Sequence, residues 1–76
     1  MATLNTVDDW AASRPDLYAN GRVSFDWRWR LHKVRYLRAG AVLIVGDRRM
    51  VDPQACEALE MELAREATLR ELERVA

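Results

Sequence analysis

"AVLIVGDRRMV", residues 41–51, followed at once by Asp52-Pro53, sets the architecture. Two β-rich runs flank Gly46-Asp47, which reads as a hairpin with glycine first, as a type II′ turn prefers. That register pairs Val45 with Arg48, Ile44 with Arg49, Leu43 with Met50 and Val42 with Val51. Arg48 and Arg49 then project from the hairpin tip on opposite faces. Asp52 before Pro53 is an N-cap followed by proline at the first helical position. A final helix therefore spans 52–76, with Ala55, Cys56, Leu59 and Leu63 as its core-facing stripe. Past residue 64 the apolar stripe drifts to another side, made of Met61, Ala64, Thr68, Leu72 and Val75.

Upstream of the hairpin, "DWRWRLHKVRYLR" (26–38) packs cations among aromatics. Ser24 is the candidate N-cap, Asp26 sits favourably in the first turn, and Gly40 suits the C-terminal end. No glycine or proline interrupts the span, so a helix is expected over 24–39. At ~100° per residue, Trp27, Leu31, Val34 and Leu37 share one face, expected to meet the core. Phe25, Trp29, His32 and Tyr36 share the opposite face, where Trp29 or Tyr36 can pack under the hairpin. Arg28 and Arg35 form one flank, and Arg30 and Lys33 the other. Earlier still, Thr6 and Asp9 give a capping signature for a short helix over 7–13, with Val7, Trp10 and Ala11 inward. Pro15 ends that helix, and Leu17 and Tyr18 pin the turn-rich segment after it to the core. Trp10 and Trp27 are expected core aromatics, and Cys56 a small buried hydrophobe.

The chain has 76 residues, half of them apolar, and reads as one domain over 6–76 behind a flexible segment over 1–5. One cysteine permits no internal disulfide. No basic-then-apolar leader is seen, and "AVLIV" is far short of the ~18–20 residues of a membrane helix. A cytoplasmic protein, in the bacterial cytosol or nucleoid, is the expectation. The zero net charge hides a segregation: residues 1–21 carry −2, residues 22–49 carry +6 and residues 50–76 carry −4. A polyanion senses the basic middle rather than the total.

Catalytic chemistry finds little support. With one His, one Cys and no hydroxyl at triad spacing, no nucleophile has a partner. The acid pairs Glu57/Glu60 and Glu62/Glu66 read as a solvated helix face. Cys56 and His32 are too few for a metal, and the three glycines lie singly at turns, forming no phosphate loop. Neither an enzyme, a cofactor, a membrane nor a small-molecule substrate is expected.

Nucleic-acid binding is the sharper signal. Arg28, Arg30, Lys33, Arg35 and Arg38, with His32, can neutralise phosphates or present forked donors to guanine edges. Arg48 and Arg49 at a hairpin tip can reach an adjacent groove or backbone. Helix, turn, basic helix, basic-tipped hairpin and helix make a mostly helical α+β arrangement, that of a winged helix-turn-helix.

Residues 6–56 resemble the small excisionase-like, MerR-related winged-helix proteins of phages and mobile elements. The resemblance is carried by "TVDDWAA", Ala39-Gly40, "AVLIV", "GDRR" and "VDPQA". It implies double-stranded DNA as partner, and a role in marking or bending DNA for a site-specific recombinase, or in transcriptional regulation. The 14–23 connection is longer than the turn of that motif. The alternative is a protein-interaction module or small inhibitor that uses the basic middle or the acidic last helix. The Met61, Ala64, Thr68, Leu72 and Val75 stripe is its candidate partner or self-association seam.

Overall fold

The computed structural model describes residues 3–76. It contains β1 (Asn5–Thr6), α1 (Val7–Ser13), α2 (Arg22–Arg38), β2 (Val42–Val45), β3 (Arg48–Val51) and α3 (Pro53–Val75). The strands form one antiparallel sheet in the order β1-β3-β2. The hairpin has the register read from the sequence, Val45 opposite Arg48 through Val42 opposite Val51. Positive φ at this turn is confined to Gly46 (φ 64°), as a type II′ turn requires. β1 adds a third strand, with Asn5 opposite Val51 and Thr6 opposite Met50. Two residues carry no periodicity, so nothing local announces that strand.

Local chemistry accounts for most boundaries. Thr6 Oγ1 accepts the Asp9 N–H at 3.1 Å and starts α1. Asp52 accepts from the N–H groups of Gln54 and Ala55, with Pro53 opening α3. At the end of α2 the Gly40 N–H reaches the Leu37 carbonyl and the Ala41 N–H reaches that of Tyr36. With Gly40 at φ 73°, this is a Schellman closure that turns the chain into the hairpin. The start of α2 differs from expectation. It is capped by Gly21 and begins at Arg22, while Ser24 Oγ accepts the Asn20 N–H at 2.9 Å and tightens the preceding loop. Asp26 accordingly lies in the second turn and pairs with Arg22 and Arg49. The helix also bends at His32, whose φ of −129° and ψ of 27° are non-helical.

The core sits where α1, α2, α3 and the sheet converge. Trp10, Tyr18, Phe25, Tyr36, Val42, Val51, Cys56, Leu59 and Leu63 fill it. Its aromatics form a chain: Trp10 edge-on to Tyr18, Tyr18 edge-on to Phe25, and Phe25 tilted on Tyr36. The inward face of α2 is therefore the aromatic one. Trp27, Leu31 and Val34 are each 60% exposed and Leu37 41%, so the expected seam faces solvent. Both faces of α2 are apolar enough to bury. The aromatic one supplies larger rings, and Tyr36 also supplies a hydroxyl that finds a buried acceptor.

Candidate functional site: the two flanks of α2

That acceptor is Glu60 of α3, which is 3% exposed and not on a solvated face as its acid-rich neighbourhood suggested. Its Oε2 accepts from the hydroxyls of Tyr18 (2.7 Å) and Tyr36, and Arg28 donates through Nε (2.9 Å) and Nη2 (2.6 Å) to Oε1. Trp10 Nε1 donates to the Tyr18 hydroxyl at 3.1 Å, and Cys56 Sγ lies 3.5 Å from it. Burial alone would raise the Glu60 pKa. Hydrogen bonds from Arg28, Tyr36 and Tyr18 outweigh that and hold it below the usual carboxylate range. Burial and the link to Glu60 push both tyrosines far above their ordinary values. The Cys56 thiol is pushed up to about 11 by burial, which makes it unreactive. One signal could have located Glu60. It lies four residues after Cys56 and three before Leu63, squarely on the inward stripe.

The same contacts divide the cations predicted to meet DNA. Arg28 is held by Glu60, and Arg35 makes a two-pronged pair with Glu66 at 2.6 and 2.7 Å and reaches Glu62 at 3.6 Å. Arg49 does not project from the hairpin tip. It pairs with Asp26 at 3.0 Å and lies 5.4 Å over the ring of Trp29. Three of the eight expected contacts are thus engaged inside the chain. Of the five Arg and Lys residues between 28 and 38, an interval with no acid, two are answered by carboxylates of α3 more than 20 residues away.

The other flank is different. There Arg30 and Lys33 are exposed and, among the described residues, form no ion pair. The same is true of Arg38, which lies beside Arg35, Leu59 and Glu62 on the α3 side, and of Arg48, which lies on the hairpin beside Asp8 and Arg22. Lys33 Nζ lies 5.6 Å over the ring of Trp29, which Arg49 also approaches at 5.4 Å, so a half-buried tryptophan braces the cation beside the hairpin. Trp29 is in turn tilted on Tyr36 at 6.2 Å, and it meets the hairpin through Arg49 of β3. His32, half-buried at the bend, has its pKa lowered by burial and by the charge of Arg28. It stands on the α3 side, away from the open flank.

The seam expected on α3 is exposed throughout: Met61, Ala64, Thr68, Leu72 and Val75 all face solvent, joined by Leu69. Among the described residues, every side chain of the helix after Glu66 is exposed. Among the described residues no helix is long and apolar enough to cross a membrane, and no three potential metal ligands cluster. Comparison with known proteins finds no matching family model, curated protein or solved structure.

Proposed function

We propose that this chain is a DNA-binding protein of winged-helix type. It would act as an excisionase-like recombination directionality factor or as a small transcriptional regulator, in the bacterial cytosol or nucleoid. One observation carries the reading: of the two cationic flanks of α2, Arg28 and Arg35 are held by carboxylates of α3, while Arg30 and Lys33, among the described residues, pair with no acid. Arg28 and Arg35 hold α3 in place. Arg30 and Lys33, with Arg38 and Arg48, supply contacts to the duplex, with α2 in a major groove and the hairpin on the adjoining backbone.

Four phosphate contacts correspond to a slope of log affinity against log salt of roughly −3.6. A mobility-shift titration at several salt concentrations measures it, and a flat response overturns the reading. Arg30→Glu with Lys33→Glu is expected to abolish the shift. Arg35→Gln also removes a positive charge from α2 yet leaves DNA affinity within about twofold, because that guanidinium already faces Glu66.

A second reading has its own observation, the exposed apolar seam on the outer part of α3. In that reading the chain is a protein-interaction module or inhibitor. A pull-down that survives nuclease treatment, and is lost when residues 69–76 are removed, supports it over the first.

A further inference from the structure

The outward face of α2 is unlike a solvated surface. Val23 is 72% exposed, Trp27, Leu31 and Val34 are 60% and Leu37 is 41%, all on one side of one helix. They run over about 21 Å at 1.5 Å per residue, the length of roughly six base pairs. Large apolar side chains gathered this way mark a contact surface. Arg30 lies within the stripe and Lys33 and Arg38 beside it, all exposed. The one acid of α2, Asp26, is taken up by Arg22 and Arg49.

Charge identifies the occupant. Two copies of this face brought together would gather the like charges of Arg30, Lys33 and Arg38 from both at one interface, with the one acid of α2 already paired. An anionic partner is required, with apolar groups between its charges. The major groove of duplex DNA has that layout: phosphates line its rims, and the apolar features of its floor are the thymine C5-methyl groups. Arg48, exposed at the tip of the hairpin, is a further cation available to a phosphate.

We propose that the outward face of α2 recognises thymine methyl groups, so that the preferred DNA carries thymines across one major-groove segment. Val34 and Trp27 cover methyls, and Arg30 fixes the helix against the backbone or a guanine edge. The proposal rests on the DNA-binding reading above and adds to it the base chemistry that is read.

Replacing thymine by uracil deletes the methyl and keeps every hydrogen-bonding group. Fluorescence anisotropy with the full chain would compare three 24-bp duplexes: alternating dA-dT, the same sequence with dU for dT, and alternating dG-dC. Each covered methyl is worth roughly fourfold in affinity, so two give a loss on the order of tenfold from dT to dU. Val34→Ser and Trp27→Ala alter exposed side chains, so the fold is retained. Both are expected to erase most of the dT-over-dU preference while the salt slope persists. Equal, salt-dependent binding to dT and dU duplexes overturns the thymine proposal and leaves DNA binding standing. Absence of binding to any duplex overturns both. If the two variants leave the dT preference intact and instead weaken a nuclease-resistant protein complex, the stripe is a protein-docking face and the proposal fails.

Discussion

Glu60 is the residue on which the structure turns. A carboxylate excluded from water is costly unless each lone pair is used, and here two tyrosine hydroxyls and an arginine use them. Those donors come from α2 and from the loop before it, so one side chain of α3 sets the placement of three segments. Among the described residues no buried side-chain polar atom lacks a partner. Glu60→Ala strands Tyr18, Tyr36 and Arg28, and a loss of about 3–5 kcal/mol is expected in urea unfolding. Glu60→Gln keeps the acceptor for the tyrosines and loses less. The pH dependence has a definite sign. The folded pKa of Glu60 lies below its unfolded value, so its contribution is complete above about pH 4.3, the free glutamate value. It disappears as the pH falls through the folded value. Wild-type stability should therefore drop steeply below about pH 4, and the Glu60→Gln variant should show a shallower acid limb.

At the scale of elements, the hairpin and α3 were legible and the orientation of α2 was not. Gly46-Asp47 between β-rich runs, and Asp52-Pro53 after them, are local signals whose geometry needs no distant partner. α2 offers two apolar faces at helical spacing, and periodicity alone cannot rank them. The aromatic face won because Phe25 and Tyr36 join the ring chain from Trp10, and because that orientation brings Arg28 and Arg35 to the carboxylates of α3. Substitutions report the orientation directly. Phe25→Ala, at a site with no exposure, is expected to cost about 3–5 kcal/mol. Trp27→Ala, at 60% exposure, should change stability by no more than about 0.5 kcal/mol. The reverse order in denaturant unfolding would contradict the fold described here.

Over the whole molecule, the segregation of charge along the chain becomes a pairing of layers. Part of the basic middle lies on the acidic last helix, and what emerges on α2 is a flank where Arg30 and Lys33, among the described residues, pair with no acid. The molecule is elongated, 46 × 24 × 22 Å, because α3 runs on past the last core residue, Leu63. Removing residues 69–76 takes away only exposed side chains. The thermal midpoint should hardly move, and the truncated chain should keep its DNA affinity if that flank is the binding surface.

The sequence by itself determined the order of the three helices and the hairpin, the hairpin register, the caps of α1 and α3 and the presence of a basic segment. Each rests on turn chemistry, capping or short-range periodicity, which act within a few residues. Only the tertiary structure decided which face of α2 is buried, that β1 joins the sheet, and which arginines remain free to meet a partner. Those outcomes depend on contacts across the fold, Tyr36 and Arg28 with Glu60, Arg35 with Glu66 and Asp26 with Arg49. A count of charges along the chain cannot see which of them will neutralise each other once folded.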